Sequence, residues 1–204
     1  MHLTSLNLGH ARAIQNGKPS GQTGIYKLPS LAAVPITQEG LSGDVICDLK
    51  NHGGPDQAVY IFGQPDYDWW SHELGLDLPP GTFGENLTVS DLESASLSIG
   101  DYLHVGTVTL QVSAPRIPCA TLAARMDDPA FVKRFRYGER PGLYCRVLRP
   151  GSVRVGDPVR LEPYTRETVT VLEMFRNWYE PNQSADWQRR YQAAPIAIRA
   201  VKAK

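Results

Sequence analysis

The sequence predicts a mainly β fold of the α+β class, a barrel-like sheet with a small helical extension at its C-terminal end. Three observations carry this reading. Gly (18) and Pro (16) are scattered through roughly the first 160 residues and cut the chain into pieces too short for most helices. Ile99-Gly100-Asp101 and Val155-Gly156-Asp157 are alike, each a glycine turn launching a strand, as the corner of a closed or nearly closed sheet requires. Past Pro163 glycine disappears and the apolar spacing becomes helical.

Taken in chain order, the first expected helix is PDYDWWSHEL, Pro65 to Leu74, with Asp66 placed to cap it and Gly75 to end it. YLHVGTVTLQV, Tyr102 to Val112, reads as two strands around Gly106-Thr107. On the second of them Val108, Leu110 and Val112 share one face, and Thr109 and Gln111 the other. A helical stretch follows over Ala120 to Phe135, interrupted at Asp127-Asp128-Pro129, where a second turn starts. In Tyr144 to Leu161, YCRVLR and VRV flank a Pro150-Gly151-Ser152 turn, and Gly156-Asp157 opens a further strand, PVRLE. The tail carries Val171, Met174, Phe175 and Trp178 at helical spacing, and Pro181 and Pro195 divide it into three short pieces. The expected organisation is a barrel domain over 1–164 and a three-helix extension over 165–204.

Composition narrows the function by exclusion. Lys plus Arg and Asp plus Glu number 21 each, so no global field favours nucleic acid or an anionic membrane, and an anionic partner must be caught by a local pocket. The N-terminus, MHLTSLNLGHARAI, lacks the basic start and apolar run of a secretory signal, and no apolar stretch approaches a membrane span. Three cysteines, Cys47, Cys119 and Cys145, cannot all pair. A cytoplasmic location with free thiols is the expectation.

Four segments are richer in glycine, charge and rigid turns than plain loops need: GLSGD (40–44), NHGGPDQAV (51–59), GTFGENL (81–87) and APRIPCATL (114–122). Each adjoins a strand-like or helix-like stretch, so the four can converge at one end of the sheet. Cys119 stands out among them. Pro115 and Pro118 stiffen its approach and remove two backbone donors. A thiol at a helix start near Arg116 has two reasons for a lowered pKa, the helix dipole and the cation, and a thiolate binds soft metals or attacks electrophiles. The competing reading is a cysteine packed as a small hydrophobe; that reading is given to Cys47 and Cys145, in apolar or strand-like surroundings. His52-Gly53-Gly54 offers either a backbone nest for an anion, with His52 as a further donor, or a plain glycine turn. Gly84-Glu85-Asn86 is a tight bend with polar side chains, and Asp44 after a glycine commonly caps a turn. The cysteines lack paired zinc spacing, and no HExxH, GxSxG, Walker or GxGxxG pattern occurs. By themselves these signals name no reaction.

Together and in this order, GLSGD, NHGGPDQAV, FGENLTVSDL, IGDYLHVG, APRIPCATL and GLYCRVLRPG resemble the MOSC domain family, named for the C-terminal domain of molybdenum cofactor sulfurases. Within it, the chain is most similar to the short YiiM-like branch, and its tail resembles that branch's three-helix extension. The resemblance spans roughly residues 20 to 162. It implies a barrel-like fold binding a molybdenum pyranopterin, molybdopterin with its metal, with Cys119 as the molybdenum ligand and catalytic residue. It further implies Arg116 and Lys27 as charges for the pterin phosphate and His52, Gly53 and Gly54 as donors. Asn86 is expected to meet the pterin or an oxo ligand, and Asp44 and Glu85 to orient loops or donors. One departure concerns Gln57, where the family often has lysine after HGGxD. The implied activity is an oxidoreductase one: reduction of N-hydroxylated compounds (amidoximes, hydroxylamines, N-hydroxylated bases) by removal of the oxygen atom. With no flavin, haem or iron–sulfur motif in the chain, electrons must come from a separate reductase. The tail would dock that partner, support a homodimer, or simply cover one end of the barrel. Two other functions compete: a cofactor carrier or sulfur-transfer module without turnover, and a structural barrel that binds a protein through its tail.

Overall fold

The computed structural model describes residues 1–15 and 21–199 of the 204-residue chain. Its strands are β1 (Leu3–Gly9), β2 (Arg12–Ala13), β3 (Gln22–Thr23), β4 (Lys27–Pro29), β5 (Val34–Thr37), β6 (Gly40–Leu41), β7 (Val59–Gly63), β8 (Leu87–Val89), β9 (Tyr102–Val105), β10 (Val108–Pro115), β11 (Leu143–Arg149), β12 (Gly151–Val153) and β13 (Val159–Glu162). The helices are α1 (Gln64–Leu74), α2 (Ala120–Arg125), α3 (Phe131–Gly138), α4 (Val171–Tyr179) and α5 (Ala185–Ala193).

Eight strands form the main sheet in the order β13-β9-β10-β11-β7-β8-β1-β4. Every pairing is antiparallel except β7 with β8, which α1 and the following loop connect. Among the described residues no continuous ladder closes the sheet. The start of β1 nevertheless meets the turn into β13: Leu3 N donates to Asp157 O at 2.9 Å, Gly156 N donates to Leu3 O at 2.8 Å, and His2 bridges Pro158. Strands near opposite ends of the order are thus stitched together, and the sheet is barrel-like. The expected corners sit where glycine is needed. Gly100 has φ 101°, and a Cβ there would come within 2.7 Å of the Tyr164 ring.

Patterning explains what fills the interior. Val108, Leu110 and Val112 of β10 all point inward and are at most 1% exposed, beside Leu3, Val59, Ile61 and Cys145. Burying each such side chain contributes about 1.5–3 kcal/mol. A second apolar cluster lies outside the sheet, where Trp70 of α1 meets Phe83, Phe131 and Phe135. The break between α2 and α3 follows from the Asp127-Asp128-Pro129 run: Asp127 takes φ 51°, and the Asp128 carboxylate accepts Ala130 N at 2.8 Å. The tail is packed onto the barrel, for Val171, Met174, Trp187 and Tyr191 join the same core cluster as the strands. Among the described residues no helix is long and apolar enough to cross a membrane.

Two local expectations need correction. Asp66 does not cap α1, which begins at Gln64 after Gly63. Its carboxylate is fully buried instead, accepting from Arg140 Nη1 at 2.8 Å and Ser94 N at 3.1 Å. Across the Pro150-Gly151-Ser152 turn β12 does not continue the main sheet; it pairs with β5 in a separate three-stranded sheet. Of the three helical pieces expected in the tail, α4 and α5 are the first two. Ile198 and Arg199 are helical, but most of the third piece lies outside the described residues.

Candidate functional site

β10 ends at Pro115, and Arg116-Ile117-Pro118 carries the chain to Cys119, the N-cap of α2 with φ −133° and ψ 171°. In this extended conformation the Cys119 carbonyl accepts Leu122 N at 2.9 Å and Ala123 N at 3.2 Å, which starts the helix. The thiol is half-buried, and its Sγ lies 3.9 Å from His52 Nε2. Burial pushes the thiol up, but the His52 contact, the Arg116 charge and the Leu122 N–H outweigh it and hold the pKa at about 6, against an ordinary 9.0. These surroundings favour the thiolate form of Cys119 at neutral pH. Cys145 is the opposite case, buried in the core with its thiol driven up by desolvation.

His52 is brought there by a tight turn in which its own N–H donates to Asp48 O at 2.9 Å. Gly53 has φ 70°, a left-handed conformation that favours glycine, and a Cβ would come within 2.9 Å of Ile46 Cδ1. Gly53 lines a cavity with His52 and Cys119. Gly54 does not; the side on which its Cβ would sit faces Arg199.

Lys27, Asp44 and Asn86 form a second wall of the same cavity. The Lys27 ammonium lies 2.5 and 2.6 Å from the two Asp44 oxygens. Asp44 Oδ1 also accepts Gly9 N at 2.7 Å, and Oδ2 accepts Asn86 Nδ2 at 2.9 Å. Burial pulls the Lys27 ammonium pKa down, and Asp44 opposes that pull. Asn86 is further tied by accepting Tyr60 N at 3.1 Å, so its side chain spans from the sheet to the Asp44 loop. Glu85, adjacent in sequence, points away and does not line the cavity. Its Oε1 accepts Tyr67 OH, Gly81 N and Thr88 Oγ1 at 2.7, 2.6 and 3.0 Å, fixing the GTFGENL bend.

Arg116 is 4% exposed, donates from Nη1 to Phe83 O, and stands 5.1 Å over the Tyr60 ring. Among the described residues its Nε has no hydrogen-bond partner, and neither do Thr121 Oγ1 and Gln57 Oε1. All three residues line this one cavity. Buried polar atoms are rarely left unpaired, and three such atoms belong to residues around this one hollow, which suits it to a polar ligand.

Seven of the nine residues singled out in the sequence (Lys27, Asp44, His52, Gly53, Asn86, Arg116, Cys119) share this cavity; Gly54 and Glu85 lie outside its wall. The sequence reading passed over Cys47, Tyr60, Thr121 and Tyr144, which also line it. Cys47 follows GLSGD by three residues and was within reach of that motif. Tyr60 and Tyr144 project from β7 and β11 and carry no local mark in the sequence.

The family model of the MOSC domain matches residues 48–160. This chain belongs to the MOSC domain family. The protein YiiM of Escherichia coli (strain K12) is 30% identical over 93% of this chain and 84% of its own length. YflK of Bacillus subtilis (strain 168) is 38% identical over 85% of this chain and 77% of its own. A protein of Gibberella moniliformis named as a reductase is 32% identical over 78% of this chain, and the aligned part is 30% of that longer protein. The crystal structure of YiiM from Geobacillus stearothermophilus superposes with a TM-score of 0.81, covering 98% of this chain and 95% of that one at 24% identity. The likeness in fold to that structure therefore covers the helical tail as well as the sheet.

Proposed function

We propose that this MOSC protein binds a molybdenum–pterin cofactor in the Cys119 cavity and reduces N-hydroxylated compounds, such as amidoximes, hydroxylamines and N-hydroxylated bases. The observation that carries the reading is the Cys119 thiol, 3.9 Å from His52 Nε2, in one cavity with Arg116 and Thr121, whose buried Nε and Oγ1 lack partners among the described residues. Membership of a family associated with the molybdenum cofactor supports it, and so does the relative named as a reductase.

The donor set fits the group. A thiolate suits a soft metal centre. Among the described residues no three His, Cys, Asp or Glu side chains cluster; Cys119 would hold the metal, and the cofactor would supply further ligands. Arg116 supplies buried positive charge and a spare donor for an anionic or carbonyl group. Lys27, already neutralised by Asp44, gives a donor rather than net charge. When bound, the cofactor supplies the two-electron chemistry by which R–NH–OH, two electrons and two protons become R–NH2 and water. The chain contributes the thiolate, the His52 contact that holds it, and walls that orient the group. Electrons come from a separate reductase, because the chain carries no redox motif of its own.

The test is metal and pterin analysis of wild type beside Cys119→Ser, both made in a cofactor-competent host. Near-stoichiometric molybdenum in wild type and a marked loss in the variant is the expected result. Absence of molybdenum from wild type, or equal amounts in both, overturns the assignment. Loaded protein given reduced dye and benzamidoxime should form benzamidine; full occupancy without product identifies a carrier or sulfur-transfer module instead.

A further inference from the structure

A larger hollow of about 830 Å3 opens between the sheet and the helical tail. That size is ample for a small organic molecule, since ligand pockets run to roughly 300–1,000 Å3. It adjoins the Cys119 cavity across His52, Gln57 and Tyr144, which line both. Its walls differ from those of the first cavity. Ile117, Met174, Trp178 and Tyr144 give it broad apolar and aromatic faces, and Trp178 stays 47% exposed. Lys50 and Arg199 line it too, and among the described residues no Asp or Glu does. Arg199 is positioned by donating to Leu49 O at 2.7 Å, and its guanidinium lies beside Gly54, at the turn that presents His52.

We infer that this cleft is the substrate site and that it selects N-hydroxylated compounds with a flat aromatic body and an anionic substituent. The aromatic body lies against Trp178 and Tyr144, and the anion is met by Arg199 and Lys50. His52 and Gln57 stand at the passage to Cys119, where the N–O group must arrive. The apolar faces explain why a flat molecule is retained. The two cations, with no carboxylate lining the cleft among the described residues, explain why charge discriminates, because an anion gains attraction there and a cation meets repulsion. This substrate class rests on the function proposed above and narrows it.

Three substrates on the loaded protein test it: benzamidoxime, 4-carboxybenzamidoxime and 4-(aminomethyl)benzamidoxime. For contacts of this exposure the carboxylate should raise kcat/KM about three- to tenfold over benzamidoxime, and the amine should lower it. Lys50→Met/Arg199→Met should bring the carboxylate advantage to about 1. Arg199→Glu should invert the order, favouring the amine, an outcome that mere loosening of the tail does not produce. In parallel, 4-carboxybenzamidoxime should quench tryptophan fluorescence saturably in cofactor-free protein and lose most of that quench in Trp178→Phe. Turnover of benzamidoxime with no carboxylate preference overturns this inference and leaves the reductase reading standing. Saturable binding that Arg199→Glu weakens, without turnover of any substrate, keeps the anion-selective cleft and overturns the reductase. Neither turnover nor binding overturns both.

Discussion

His52 Nε2 reaches to within 3.9 Å of Cys119 Sγ from a loop 67 residues earlier in the chain. The contact joins the glycine turn that presents His52 to the proline-stiffened entry of α2. It is the foremost influence lowering the Cys119 pKa, ahead of the Arg116 charge and against the opposing effect of burial. In a Cys47→Ser background, alkylation of cofactor-free protein by iodoacetamide should follow one ionisation near pH 6. Cys145 stays silent because it is buried in the core and its thiol is driven up. His52→Phe should move the midpoint upward by about one pH unit or more, as loss of a partner to the charged form requires. An unchanged midpoint would show that Arg116 and the Leu122 N–H sustain the thiolate without His52.

Asp44 is the sole carboxylate within ion-pairing distance of Lys27 among the described residues, and the pair's side chains are 5% and 7% exposed. Removing one member strands the other. Asp44→Ala leaves a buried ammonium and deprives Gly9 N and Asn86 Nδ2 of their acceptor. The expected cost in chemical denaturation is about 3–5 kcal/mol. Lys27→Met/Asp44→Leu should be considerably less harmful, because the stranded charge is gone. If the double variant is as unstable as the single one, the hydrogen bonds of Asp44 outweigh its charge.

What could be read in advance divides along physical lines. The β9–β10 hairpin, the corners at Gly100 and Gly156 and the end of α1 at Gly75 are local features: one buried face, or one left-handed residue, each written in a few adjacent letters. β7 is hidden because all five of its residues are buried, which erases the alternation that marks a strand. The pairing of β12 with β5 is hidden because register between distant strands is set by the assembled sheet. Asp66 looked like a cap because its position suits one; a distant Arg140 claims it instead. The site divides similarly. Cys119 and Arg116 are marked by prolines and charge, Asp44 and Asn86 by glycine-rich motifs, and Lys27 by the family resemblance alone. Tyr60, Tyr144 and the cleft under α4 exist only once the sheet has formed.

Glu85 makes stability depend on pH in a particular sense. Burial raises its pKa above the ordinary 4.5, and the bonds from Tyr67, Gly81 and Thr88 offset that only in part. The folded protein therefore binds this proton more readily than the unfolded chain. Its contribution is fully present below pH 4.5 and is lost as the pH rises through the higher folded value. Glu85→Gln keeps an acceptor for the same donors and carries no ionisable group. Urea midpoints at a series of pH values should decline less steeply above pH 4.5 in the variant than in wild type. Parallel curves would mean that other groups set the slope.

Asp56 binds the end of the described chain to the loop that carries His52. Its Oδ1 accepts Arg146 Nε at 2.9 Å, its Oδ2 accepts Ile198 N at 2.9 Å, and its carbonyl accepts Ser113 Oγ. Arg146 completes the tie by donating to Ile196 O at 3.2 Å. Asp56→Ala deletes the two carboxylate bonds and should cost about 1–3 kcal/mol, since charged hydrogen bonds of this kind contribute about 1.5–3 kcal/mol each and exposure weakens them. Hydrogen exchange at the Ile198 amide should quicken in the variant, while the central amides of β10, held from both sides by β9 and β11, keep their protection relative to the lowered global stability. Because Arg199 follows Ile198 directly and faces Gly54, freeing this segment should also reduce the advantage of 4-carboxybenzamidoxime over benzamidoxime. A variant that exchanges faster at Ile198 yet keeps the full carboxylate preference would show that Arg199 finds the substrate without its anchor.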